Sequence, residues 1–149
     1  MGALTLPPRG GVVYVDANAV IYSVEAVHPY RPVLRPLWAA ASTGGLSVVS
    51  SELLVIEVLT GPLRTGDTVL YDAYTRALFQ GDIRLLQVSL PVLKRGAELR
   101  AAHNLKTPDA IHAATALTEQ CSLFITNDGA FRRVGGLPVA VLSEILAAP

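Results

Sequence analysis

The run Val12-Val13-Tyr14-Val15-Asp16 places four β-branched or aromatic residues directly before a carboxylate. An unbroken apolar run of this length predicts a short strand that is buried on both faces, as in parallel sheets. A charge beside such a strand is unfavourable unless something compensates it, and a bound cation can do so. The stretch therefore predicts a parallel-sheet core with an acidic position at its edge.

Strands and helices alternate along the rest of the chain. The predicted strands are 12–15, 46–49, 83–88, 122–126 and 139–142. The predicted helices are 18–27, a second that ends at 41, 52–60 with its end at Gly61-Pro62, 66–79, 91–102, and one that Thr107-Pro108 caps and that runs to 120. This alternation is typical of a parallel sheet covered by helices on both faces. We expect one domain over residues 1–149, with 1–10 as a loose leader.

Composition excludes several classes of protein. The chain has 149 residues, 51% of them hydrophobic and 16% charged, which is unlike a disordered polar chain. The formal net charge is +0, so whole-chain electrostatics gives no support for nucleic-acid binding. The single cysteine, Cys121, can form neither an intramolecular disulfide nor a cysteine metal cluster. The first residues lack the features of a signal peptide, and no apolar run is long enough to cross a bilayer, so we expect a cytoplasmic protein.

Four acids stand in surroundings that favour a shared site, and we call them the acidic quartet: Asp16, Glu57, Asp109 and Asp128. Asp16 and Asp128 each follow a predicted strand, at the edge where open parallel sheets bind their ligands. Glu57 interrupts an apolar helix, and Asp109 lies in the first turn of another. Carboxylate oxygens suit Mg²⁺ and Mn²⁺. One or two such ions could polarise a scissile phosphate and activate a water.

Each acid also has a purely structural interpretation. Asp16 and Asp128 could be turn residues after strands. Asp109 could complement the dipole of its helix, a contribution of roughly 0.3–1 kcal/mol. Glu57 would need a narrow exposed face, and Glu52 is its rival on the same predicted helix. Only the joint pattern makes the metal site specific.

Four segments in order together resemble the PIN-domain ribonucleases, especially the VapC-like toxins of toxin–antitoxin systems. They are Val13–Asn18 (VYVDAN), Ser50–Leu59 (SSELLVIEVL), Leu105–Ala116 (LKTPDAIHAATA) and Phe124–Asp128 (FITND). The resemblance implies a three-layer α/β/α sandwich around a parallel sheet of four to five strands. It also implies an endoribonuclease that depends on Mg²⁺ or Mn²⁺, in which a metal-activated water attacks the phosphodiester directly.

The resemblance further assigns roles and partners. It makes Asp16, Glu57, Asp109 and Asp128 the catalytic and metal-binding acids, with none of the four missing. Asn18 and Thr126 match positions that orient those acids or a bound water. The resemblance also implies a homodimer and a cognate antitoxin that blocks the site.

Several residues outside the acidic quartet are candidates for contact with RNA or with a partner protein. RNA binding needs cations that meet phosphates, and the best local candidates are Lys106, Arg132 and Arg133. Tyr22 and Trp38 lie on helices that could form a groove for an antitoxin helix or a dimer contact. His112 follows Asp109 by one helical turn, and a core or supporting histidine is the favoured interpretation.

Rival functions find less support. A phosphatase with an aspartate nucleophile would need an acid where Asn18 stands. A phospho-receiver module would need an acid after the third strand, where the chain has Val88-Ser89-Leu90-Pro91. An RNA-processing nuclease outside a toxin–antitoxin system and a non-catalytic module that binds metal for stability remain as alternatives.

Overall fold

The computed structural model describes residues 2–149, which form five strands and seven α-helices. The strands are β1 Val12–Val15, β2 Ser47–Ser51, β3 Ile83–Leu86, β4 Leu123–Thr126 and β5 Val139–Val141. The helices are α1 Ala17–Val24, α2 Tyr30–Ser42, α3 Leu54–Thr65, α4 Thr68–Phe79, α5 Leu90–His103, α6 Thr107–Thr118 and α7 Leu142–Ala147. A 3-10 turn at Gly129–Arg133 follows β4.

All neighbouring strands are parallel, in the order β3-β2-β1-β4-β5. The chain moves outward from β1 through β2 to β3 and then crosses back to place β4 on the other side of β1. The order of the strands therefore reverses between β1 and β4, and ligands of open α/β sheets bind at the carboxyl ends of strands at such a reversal. Asp16 follows β1, and Asp128 lies two residues after β4.

Alternate residues of β1 enter two different cores, because side chains of a strand point to opposite faces. Val13 and Val15 pack into a core that holds the buried residues of α1 to α4 and α7. Tyr14 packs into a second core with β4 and α6, against which Leu99 of α5 also packs. The sheet is thus covered on both faces, and the predicted α/β/α sandwich is confirmed.

The predicted end of the third helix at Gly61-Pro62 is wrong, since α3 continues to Thr65. Proline keeps a helical φ, and its buried ring offsets the hydrogen bond that it cannot donate. The helix ends where Gly66 adopts a left-handed φ of 70°, with its N–H donating to the Pro62 carbonyl. Asp67 then caps α4 by accepting from Leu70 N at 3.0 Å, so Gly66 is not the start of that helix.

The predicted cap of α6 at Thr107 is wrong, because Thr107 is the first residue of the helix itself. Lys106 takes the extended cap position and makes no side-chain capping bond. Pro108 replaces one of the N–H groups that would otherwise lack a partner in the first turn. The other boundaries agree with the prediction to within three residues; the largest shift is at α1, which ends at Val24 rather than 27.

A matched pair of glycine substitutions tests this account of α3. Gly61 is a helical residue whose added Cβ would meet nothing within 4 Å. We expect Gly61→Ala to raise the free energy of unfolding by about 0.5–1 kcal/mol, because alanine loses less backbone entropy. Gly66→Ala should lower it by about 1–2 kcal/mol, because the left-handed conformation strains any Cβ. Urea denaturation of both variants measures this difference, and equal effects would contradict the helix end at Gly66.

Residues 2–10 form no helix or strand, yet this leader lies against the fold rather than loose. Leu4 and Leu6 pack on the first core. Gly2 N donates to the Ile145 carbonyl at 3.1 Å, and Gly10 N donates to the Gly45 carbonyl at 2.8 Å. Among the helices of residues 2–149, none combines the length and the apolar content that crossing a bilayer requires.

Candidate active site

Asp16 is the buried centre of the site, with 5% of its surface exposed. It caps α1 by accepting from Ala19 N at 3.3 Å, and its other oxygen accepts from the Thr126 hydroxyl at 2.5 Å. Burial raises the pKa of Asp16 to about 6; the bond from Thr126 opposes this shift and the charge of Glu57 adds to it. The fold therefore holds this carboxylate where its charged form is unfavourable, as expected for a group that meets a cation.

Thr126 joins two acids of the quartet. Its hydroxyl donates to Asp16 and accepts from the backbone N–H of Asp128 at 3.0 Å. Asp128 is exposed and also caps the 3-10 turn by accepting from Ala130 N at 2.9 Å. Asn18 lies half-buried in the first turn of α1, two residues after Asp16. Thr126 thus contacts Asp16 directly, whereas Asn18 is near Asp16 in the chain.

Asp109 lies in the first turn of α6 and is half-buried. Burial raises the pKa of Asp109 above its ordinary value, and the negative charges of Asp128 and Glu57 raise it further. His112 and Lys106 act in the opposite direction. Glu57 raises the pKa of Asp16 as well, so its charge acts on two aspartates of the quartet.

Glu57 lies in the first turn of α3, and its charge acts on Asp16 and Asp109. Its side chain is 24% exposed, and Oε1 lies 2.6 Å from Nε2 of His112. Glu52 is exposed in the turn before α3, where its N–H donates to the Leu86 carbonyl at 2.8 Å. Glu57, and not Glu52, is the acid of this segment that acts electrostatically on Asp16 and Asp109.

His112 is a buried residue that contacts Glu57, which agrees with the core or supporting histidine favoured from the sequence, whereas the part played by Tyr14 was not predicted. His112 is 2% exposed, and its Nδ1 lies 2.6 Å from the Tyr14 hydroxyl. The signal for His112 was its place one helical turn after Asp109. For Tyr14 the sequence indicated only a place in a strand, because its contact with His112, 98 positions away, depends on the tertiary fold.

The three predicted RNA-contacting cations differ in their surroundings. Lys106 is exposed and lowers the pKa of Asp109. Arg133 donates to the carbonyl of His103, at the start of the loop that carries Lys106, at 3.2 Å. Arg132 is ion-paired with Glu144 of α7, an acid outside the quartet. Of these three cations, Lys106 is the one whose charge acts on an acid of the quartet.

The donor set suits a hard divalent cation. Within residues 2–149, no group of three or more His, Cys, Asp and Glu side chains stands ready to enclose a metal ion. Mg²⁺ does not need such a cage, because it keeps several waters and commonly binds through one or two carboxylates and substrate phosphates. Buried Asp16 and the other three acids provide oxygen ligands, and the negative charge of Glu57 raises the pKa of both Asp16 and Asp109, a repulsion that a cation would offset.

Several solved structures with a similar fold are described as toxins or toxin–antitoxin complexes. The VapBC2 complex of Rickettsia felis bound to a promoter DNA fragment aligns with a TM-score of 0.71 and 17% identity, over 87% of this chain and 98% of that one. VapC20 of Mycobacterium tuberculosis, described as a sarcin-ricin loop cleaving toxin, aligns with a TM-score of 0.68 and 18% identity, over 83% and 95%. A toxin–antitoxin complex of Klebsiella pneumoniae aligns with a TM-score of 0.63 and 21% identity, over 87% and 96%. At these identities the likeness establishes the fold.

Sequence comparison identifies the family. Curated protein sequences give no significant match to the chain. The family model of the PIN domain matches residues 13–137, from the middle of β1 to the segment before β5. This match includes every acid of the quartet, and the fold agrees with it. The chain therefore belongs to the PIN domain family, with a VapC-like fold.

Proposed function

We propose that this protein is an endoribonuclease that depends on Mg²⁺ or Mn²⁺ and acts as the toxin of a toxin–antitoxin pair. PIN domains are nucleases, and the present chain keeps an acid at all four positions of the quartet. The observation that carries the proposal is the position of buried Asp16 at the reversal of strand order between β1 and β4, where the Thr126 hydroxyl joins it to Asp128.

Asp16, Glu57, Asp109 and Asp128 are the residues that would hold the metal. When bound, the ion supplies a Lewis acid that polarises the phosphate and lowers the pKa of a water. The Thr126 hydroxyl keeps Asp16 in one orientation. Lys106, beside Asp109, is placed to meet a backbone phosphate of RNA.

Support for the partners comes from surfaces away from the acids. A cavity of about 290 Å³ lies between α1, α2 and β3, with Val20, Val24 and Trp38 in its lining. We assign this apolar groove to the antitoxin, because VapBC complexes share the fold.

The candidate for the homodimer surface consists of three exposed apolar residues. They are Ile56 and Leu63 on α3 and Val69 on α4, which are 65%, 65% and 78% exposed. Co-purification with the antitoxin and light scattering test the two partners. A cytoplasmic location is part of the same proposal.

We expect the purified protein to cleave fragments from a panel of tRNA and rRNA when Mn²⁺ or Mg²⁺ is present. Chelation with EDTA should stop cleavage, and fresh Mn²⁺ should restore it. The measurement is gel analysis of end-labelled RNA over time. Glu98→Gln, which changes an exposed acid on α5, is the control and should cleave like the wild type. A protein that binds Mn²⁺ but cleaves no fragment of the panel would contradict the proposal.

A second candidate function is a non-catalytic module that binds metal for stability. The contact between Glu57 and His112, which occupies one oxygen of that acid, is the observation that favours it. Under this alternative, EDTA lowers the melting temperature and no preparation cleaves RNA. An RNA-processing nuclease outside a toxin–antitoxin system would cleave RNA, and its expression would leave cell growth unaffected.

A further inference from the structure

A chain of three side chains runs from the second core to the acidic quartet. The Tyr14 hydroxyl lies 2.6 Å from Nδ1 of His112, and Nε2 of the same ring lies 2.6 Å from Oε1 of Glu57. Tyr14 and His112 are 0% and 2% exposed, whereas Glu57 is only half-buried. These hydrogen bonds therefore connect Glu57, a flexible side chain at the edge of the site, to the buried rings of His112 and Tyr14.

The direction of the hydrogen bonds follows from the chemistry of the three groups. An ionised carboxylate can only accept, so Nε2 carries a proton and donates to Glu57. In a neutral ring Nδ1 is then an acceptor and takes the proton of the Tyr14 hydroxyl. In this arrangement the Tyr14 hydroxyl, both ring nitrogens of His112 and Oε1 of Glu57 each have a partner.

The consequence concerns Glu57. His112 occupies Oε1 and leaves Oε2 for another partner. A free glutamate loses about 1.5–2 kcal/mol of side-chain entropy when it is fixed. A glutamate already held by His112 has lost much of this freedom before an ion arrives. Partners that orient a ligating carboxylate typically change metal affinity by about 10–100-fold.

We propose that His112 and Tyr14 are positioning residues that hold Glu57 with one oxygen presented to the metal. This inference rests on the proposed function, because it needs Glu57 as a ligand. It assigns His112 a role that acts through Glu57 and not through contact with RNA. His112 lies on α6 one turn after Asp109 and comes from the opposite face of the sheet to α3, so it ties the two acid-bearing helices to one geometry.

The test measures Mn²⁺ affinity by calorimetry on metal-free protein and, separately, kcat and KM for RNA. We expect His112→Leu to weaken Mn²⁺ binding about 10–100-fold and to lower kcat with little change in KM. His112→Gln keeps a donor and should recover part of the affinity. Tyr14→Phe, which retains the ring that stacks on Phe124, should show a smaller loss. His28→Gln, at an exposed histidine, is the control.

A double-mutant cycle separates positioning from general stability. In a Glu57→Gln background, His112→Leu should change Mn²⁺ affinity less than about 2-fold, since its route of action is gone. If His112→Leu lowers only the melting temperature, or weakens Mn²⁺ binding equally in both backgrounds, the inference is overturned. His112→Gln and Tyr14→Phe decide the matter should the leucine variant fail to fold. A wild type that neither binds Mn²⁺ nor cleaves RNA would instead overturn the proposed function itself.

Discussion

Asp16→Asn is expected to lower metal-dependent RNA cleavage by about 10²–10³-fold, which corresponds to several kcal/mol of lost transition-state stabilisation. The substitution keeps the size of the side chain and removes its charge. Asparagine can still accept from Ala19 N, and the Thr126 hydroxyl can rotate, because it accepts as well as donates. The local structure should therefore survive while the buried charge that meets the cation is lost.

The measurement is the initial rate of RNA cleavage with saturating Mn²⁺, combined with Mn²⁺ affinity by calorimetry. Asp82→Asn is the matched control, since Asp82 is an exposed aspartate in the turn before β3. It should keep the wild-type rate and affinity. Cleavage within about 3-fold of the wild type in Asp16→Asn would leave too small an energy, under about 1 kcal/mol, for a metal-binding charge.

Without metal, the same Asp16→Asn substitution is expected to stabilise the protein by about 1–3 kcal/mol at neutral pH. The pKa of Asp16 is raised from 3.8 to about 6 in the folded state. Folded Asp16 thus binds its proton more tightly than the unfolded chain does, and each pKa unit corresponds to about 1.4 kcal/mol. The loss of a charged helix cap, about 0.3–1 kcal/mol, reduces the gain.

The sign of the effect sets its pH dependence. Below about pH 4 the carboxyl is protonated in both states, and the two proteins should differ little. As the pH rises from about 4 to about 6, wild-type stability from this group falls, and the difference should reach its plateau above that range. Urea denaturation across this range measures it. Added Mn²⁺ should stabilise the wild type and not Asp16→Asn, because only the former binds it tightly. A variant less stable than the wild type at neutral pH would contradict the account of Asp16.

Much of the fold was predictable because its signals are local. The strands β1 and β4 are continuous apolar runs, and both were placed within one residue of their observed bounds. The end of α3 was not, because Gly61-Pro62 is a strong local stop signal that packing overrides. The cap of α6 was misplaced by one residue for the same kind of reason: Thr107 has the right chemistry, and its backbone is already helical.

The candidate site shows the same division. Asp16 and Asp128 were notable because they follow buried strands, and Asp109 because it opens a helix. Their electrostatic coupling depends on the crossing from β3 back to β4, which brings distant segments to one edge of the sheet. The preference for Glu57 over Glu52 needed the resemblance, and the orientation of Glu57 needed the fold.

The sequence by itself determined the α/β class and the family and singled out four candidate acids, because apolar runs, strand-end carboxylates and motif order are carried by neighbouring residues. Only the tertiary structure decided that Tyr14 and His112, 98 positions apart, share a hydrogen bond, and that His112 reaches Glu57 across 55 positions. Such contacts arise where two helices and the sheet are packed together. A buried polar atom must form its hydrogen bond with a neighbouring group, and the tertiary fold decides which groups are its neighbours.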